Sequence, residues 1–271
     1  MLHDNIADVT AATMITVAPT GAETDKAKAP ALPVTIEELV ATAKACEAEG
    51  AALVHVHVRD EGGRSTIDVT RYREAIAALN ESTDLVVQVS TGGAVGDDPR
   101  ARVAVLDCAP QSASLTCGSV NFGDEVFDNP WPLVVELYTE MHARRILPEF
   151  EVFDAGHLEA LHRLLDRHGP PYNGHVHVDF VLGVPGGMPG TVPSLAHLVS
   201  QLPPGATFSA TGIGRSAVPV LLATIAAGGH PRVGMEDTLT FAAGEPVRDN
   251  AQLVARAAAV ASLAQRPPMT P

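Results

Sequence analysis

A chain of 271 residues with 46% hydrophobic content can bury the core of one large domain or two small ones. Its formal net charge of -14 argues against a protein that neutralises a phosphate backbone, so nucleic acid is not an expected partner. No apolar run approaches the roughly 18 to 20 uncharged residues that cross a bilayer, and a membrane is not expected either.

The opening MLHDNIADVT has neither the positive nor the hydrophobic region of a secretory leader. Cys46, Cys108 and Cys117 show no C-x-x-C spacing and read as buried thiols, which together point to a cytoplasmic setting.

In chain order, short β-branched runs alternate with longer amphipathic stretches, the pattern of βα units around a parallel sheet. Strands are expected at 14–19, 52–58, 85–90, 114–118, 149–153, 175–182, 207–211 and 232–235. Helices are expected at 35–49, 69–79, 100–106, 131–145, 158–168, 194–201, 217–227 and 250–264. Thr35 stands three residues before Glu38, a capping box, and Gly50 follows as a stop. Residues 20–33 read as a long loop. Eight such pairs without a long linker predict a single (β/α)8 TIM barrel as one domain over residues 1–271; an open doubly wound sheet is second, and its dinucleotide form lacks a G-x-G-x-x-G after strand one.

In a barrel, functional side chains belong at the C-terminal ends of strands. In LVHVHVRD, His55 and His57 are two apart and face one way, which suits a pair of metal ligands. Glu236 and Asp237 fall at the end of strand eight, where they could complete a metal site or cap a helix. A second H-x-H, His175 and His177 with Asp179, begins its strand and is expected toward the barrel bottom. Glu23, Ser90, Thr91, Gly92, Gly93, Ser119 and Asn121 follow other strands and would line a pocket. Glu149 and Glu151 share one face of strand five and need a cation or hydrogen bonds, and Arg232 could balance the acidic cluster.

The blocks HVHVRD, STGGAVG, GSVNFGDEVFDNP, PEFEVFDAGHL, VLGVPGGMPGT and PRVGMEDTL together resemble the β-keto acid cleavage enzyme family over nearly the whole chain. The resemblance implies a Zn2+-bound barrel that condenses a β-keto acid with acetyl-CoA, giving acetoacetate and a new acyl-CoA. It implies His55, His57 and Glu236 as metal ligands and Glu23 as the base that takes the C2 proton. Asp237 and Arg232 would be its charge-relay partners, with Ser90 near the reacting carbonyl. Ser119 and Asn121 would hold the substrate carboxylate, and Glu149, or second Glu151, would meet a substrate amine. A homo-tetramer is the oligomer implied, and Arg100, Arg102 and Arg215 are candidates for the CoA phosphates. The rival readings are a metal-dependent hydrolase, a non-haem Fe(II) oxygenase, or a ligand-binding barrel without turnover.

Overall fold

The computed structural model describes residues 12–271. Eight parallel strands close into a barrel: β1 (Thr16–Val17), β2 (Leu53–Val56), β3 (Val86–Val89), β4 (Ser112–Thr116), β5 (Leu147–Val152), β6 (His177–Leu182), β7 (Thr207–Gly212) and β8 (His230–Val233). β1 pairs with both β2 and β8, so the two ends of the chain's strand order meet. Helices α1 (Ile36–Ala48), α2 (Val69–Ser82), α3 (Pro99–Ala104), α4 (Trp131–Arg144), α5 (Ala155–His168), α6 (Val192–Val199), α7 (Ala217–Ala226) and α8 (Asn250–Leu263) follow the strands in turn. The expected barrel is present.

Alternation along each strand divides the two faces. Outward side chains such as Val54, Val56, Phe150, Val152, Val178 and Phe180 are fully buried against leucines of the helices, among them Leu39, Leu79, Leu137 and Leu161. Burying these aliphatic faces supplies the main driving force, roughly 1.5–3 kcal/mol for each large side chain removed from water. The inward side chains of β4 to β8 are largely polar, and they set up the site.

Helix starts follow local chemistry. Thr35 Oγ1 accepts from the Glu38 amide at 3.2 Å and Glu38 Oε2 accepts from the Thr35 amide at 3.2 Å, the reciprocal pair its spacing predicts. α5 begins at Ala155 instead of residue 158, because Asp154 Oδ1 accepts from the amides of Gly156 and His157 at 2.8 and 3.1 Å. Thr191 similarly starts α6 two residues before the expected 194. The expected third helix divides into α3 and a 3-10 turn over Val105–Cys108.

Two strands end before their expected positions. The ladder of β2 stops at Val56; His57 follows it, and Val58–Arg59 turns into a hairpin with Ser65–Thr66. β8 stops at Val233, two residues before its expected end. A Cβ at Gly234 would lie 1.9 Å from the Ala18 carbonyl oxygen, so only glycine admits this approach to β1, and the chain then bends into the turn that carries Glu236.

Candidate metal centre and active site

His55 projects inward from β2 and His57 from the residue just past it, while Glu236 sits in the turn after β8. Closure of the barrel through β1 brings them together. One ligand atom from each lies within 4.8 Å of the other two, with His57 Nε2 3.7 Å and His55 Nε2 4.0 Å from Glu236 Oε1. Gln88, inward on β3, places Oε1 2.6 Å from His55 Nδ1; its carbonyl accepts, so Nδ1 donates and Nε2 is the nitrogen turned toward the centre. Burial pushes the His57 pKa down to about 4, against the pull of Glu236, and the imidazole is a neutral ligand at physiological pH. Burial pushes Glu236 up, but Arg232 and the two imidazoles more than offset it and hold its pKa at about 2. Its buried Oε2 has no hydrogen-bond partner. Two imidazoles and an ionised carboxylate with an uncommitted oxygen are a donor set that fits Zn2+ with a position left open.

Arg232 organises the floor beneath this triad. Its guanidinium donates to Glu236 Oε1, to Asp237 Oδ1 at 3.1 Å and to Glu151 Oε1 at 3.3 Å, and Asp179 Oδ2 is 4.0 Å away. Buried, and surrounded by these carboxylates, it is held in its charged form. Burial raises the Asp237 pKa to about 7 although Arg232 opposes the shift, and burial with the nearby Glu149 charge raises Asp179 well above the usual carboxylate range. The cluster therefore does not hold all its carboxyls as full negative charges.

Above it lies a cavity of about 220 Å³, lined on one side by Glu23, His55, His57, Ser90, Gly92, Gly93, Arg232, Glu236 and Asp237. Seven of the anticipated catalytic and metal positions thus surround one space: Glu23, Ser90, Arg232 and Asp237 with His55, His57 and Glu236. The Ser90 hydroxyl accepts from the Gly92 amide at 3.1 Å, which fixes its aim. A Cβ at Gly21 would stand 2.7 Å from Glu236 Cγ, so the glycine lets the loop after β1 close over the acid. Arg59 holds that loop from below: Nη2 donates to the carbonyls of Gly21 at 2.6 Å and Thr24 at 2.8 Å, on either side of Ala22–Glu23.

Several expectations are corrected by position. Glu149 does not reach the cavity; it lies one inward position deeper on β5, 3.3 Å from His177, and Glu151 lines the cavity instead. Thr91 donates to the Ser114 carbonyl at 2.7 Å and is absent from the lining, because it faces the opposite way from Ser90. Ser119 is exposed, with its hydroxyl 2.9 Å from Asp128 Oδ1 and accepting from the Asn129 amide at 2.7 Å. Asn121 is exposed on the hairpin of Val120–Phe122 with Glu125–Phe127, packed against Gly186. These two residues brace the hairpin, which delivers Phe122 and Phe127 to the cavity. Among the described residues no ion pair joins Glu23 to Arg232 or Asp237, so the anticipated relay is not assembled through direct contacts. Arg102 is buried and donates to the Thr91 and Asp128 carbonyls and to Asn129, which removes it as a free phosphate ligand, whereas Arg100 and Arg215 are exposed.

The second H-x-H lies low, as its place at the start of β6 implies. His177 meets Thr207 and Ser209 hydroxyls at 2.7 and 2.8 Å, and His175 is exposed. Sequence reasoning missed Gln88 and Arg59, although a glutamine interrupting the apolar run VVQV two residues before Ser90 marks an inward polar position. A further cleft of about 370 Å³, lined by Thr35, Glu37, Arg59, Asp60 and Arg71, reaches His57 from its other side.

Fold and site together define a (β/α)8 barrel with a candidate metal centre at the C-terminal mouth, the face on which barrel enzymes place their chemistry. A family model described as beta-keto acid cleavage enzyme matches residues 12–271, and the chain belongs to that family. A 3-keto-5-aminohexanoate cleavage enzyme of Acetoanaerobium sticklandii is 36% identical over 264 residues, covering 95% of this chain and 94% of the relative. A 3-oxoadipate:acetyl-CoA acetyltransferase of Cupriavidus necator is 35% identical, over 95% of this chain and 91% of the relative. A 3-dehydrocarnitine:acetyl-CoA trimethylamine transferase of Rhizobium meliloti is 34% identical, over 91% and 89%. Among solved structures, apo ObcA shares the fold with a TM-score of 0.76 at 19% identity, over 89% of this chain and 64% of that longer one.

Proposed function

We propose that the protein is a Zn2+-dependent transferase that takes a β-keto acid and acetyl-CoA to acetoacetate and a new acyl-CoA. The observation that carries this reading is the convergence of His55, His57 and Glu236 beside Glu23 and Ser90 on one cavity. The names of two of these relatives add weight, since each couples a β-keto acid or its derivative to acetyl-CoA.

His55, His57 and Glu236 would hold the ion, which when bound supplies Lewis-acid polarisation to the keto and carboxylate oxygens of the substrate. Glu23 takes the proton from C2 as general base. The C2 carbanion attacks the acetyl carbonyl; a C2–acetyl bond forms and the CoA thiolate leaves. That thiolate then adds to the original keto carbon, the bond from C2 to that carbon breaks, and Glu23 returns its proton to C2 of the departing acetoacetate. Ser90 donates a hydrogen bond to the reacting carbonyl. Arg232 holds Glu236 in place and keeps it ionised.

The purified protein should form acetoacetate from acetyl-CoA and at least one of a panel of β-keto acids. Glu23→Gln should lower that rate by about 10²-fold or more while keeping its metal. Acetoacetate from none of the acids, or an unimpaired Glu23→Gln, would overturn the reading.

A further inference from the structure

Toward the C-terminal mouth the inward positions of three adjacent strands change from polar to apolar. On β5 they run Glu149, Glu151, then Phe153 just beyond the strand; on β6 His177, Asp179, Val181; on β7 Ser209, Thr211, then Ile213 just beyond it. Register aligns Glu151 with Asp179 and Val181 with Thr211. Phe153, Val181 and Ile213 line the cavity together with Val184 and Phe127. His57, Ser90 and Glu236 line the cavity from the other half of the rim. The mouth is therefore polar on the β8–β3 half and apolar on the β5–β7 half.

We infer that the β-keto acid this site accepts carries an uncharged, apolar side group, alkyl or aryl, seated against Phe153, Val181, Val184 and Ile213. The inference rests on the keto acid reading above, which gives the polar half to the keto and carboxylate oxygens and leaves the apolar half for the rest of the molecule.

The charged side chains and the Phe127 ring that border the apolar half are already engaged. A side-group ammonium would turn to Glu151, but Oε1 already accepts from Arg232 and Oε2 from Thr116 Oγ1 at 2.7 Å. Glu149 is a layer lower and paired with His177. A side-group carboxylate would turn to Arg232, the only arginine or lysine among the described residues lining the cavity, and that guanidinium already faces Glu236, Asp237, Glu151 and Asp179. A quaternary ammonium would need open aromatic faces. The Arg102 guanidinium lies 4.9 Å from the Phe127 ring centroid, and Phe122 meets Phe127 edge-on at 74°. An unpaired charge against this wall would lose its hydration without compensation.

The test compares near-isosteres on the wild-type enzyme. 5-Methyl-3-oxohexanoate differs from 5-amino-3-oxohexanoate by a methyl in place of the ammonium, and 6-methyl-3-oxoheptanoate replaces the terminal carboxylate of 3-oxoadipate by an isopropyl group. In each pair kcat/KM for acetoacetate formation should favour the neutral acid by about 10²-fold or more. Calorimetric Kd values measured without acetyl-CoA should move the same way. Ile213→Asp should shift the methyl-to-amino ratio toward the ammonium by at least about tenfold. Turnover that favours either charged acid, or does not distinguish the pairs, overturns the inference and leaves the parent reading standing. Acetoacetate from none of the four, or from any broader panel, overturns both.

Discussion

Gln88 Oε1 is 2.6 Å from His55 Nδ1, and Gln88 Nε2 is 3.3 Å from Ser112 Oγ, so one amide couples β2 to β4 through β3. A side chain in that role fixes the tautomer and the ring angle of a ligand it never replaces. Gln88→Ala is expected to weaken metal binding by about 10–100-fold, read by competition with a chelator, while Gln88→Glu retains most of the affinity. At this scale the sequence is legible where a residue contradicts its surroundings. Two imidazoles in an aliphatic strand announce themselves, and so does a Glu-Asp pair at a strand end. Glu149 and Glu151 show where that stops. Both face inward on one strand, and only register against His177 and Arg232, which are distant in sequence, decides which of them reaches the cavity.

The loop after β1 matters as an element because it carries Glu23 without any regular structure of its own. Its shape depends on Arg59, whose guanidinium also lies 3.4 Å from the Gly63 carbonyl in the neighbouring hairpin turn. Arg59 is a positioning residue in this account. Arg59→Met is expected to lower kcat by about tenfold or more with metal content and KM for the keto acid little changed, and Arg59→Lys should recover part of the loss. A fall in metal content that tracks the fall in kcat would assign Arg59 to the metal centre instead. Sequence reasoning missed the caps Asp154 and Thr191, while the start of α1 was legible because its cap is local, Thr35 with Glu38 in four residues. Strand ends were less so. β8 ends at Val233 because Gly234 passes against β1, a contact between segments more than two hundred residues apart.

At the scale of the whole molecule, the eight alternating units specify the barrel, since each strand needs a helix to cover its outer face and only closure leaves no exposed edge. What that pattern implies but does not fix is the register in which β1 meets β8. Until that pairing forms, Glu236 and His55 are far apart in the chain, and the apolar half-rim of Phe153, Val181 and Ile213 is three unrelated residues. Closure brings His55, His57 and Glu236 to one place that could hold a dication, which under the proposed function would let a chain with a net charge of -14 bind an acid. The most direct measurement is metal content by inductively coupled plasma mass spectrometry, after chelation and reconstitution with Zn2+. About one equivalent per chain is expected for the wild type, and less than about a tenth of that for His57→Ala and Glu236→Gln, each checked to be folded. Full occupancy in both variants, or none in the wild type, would contradict the account.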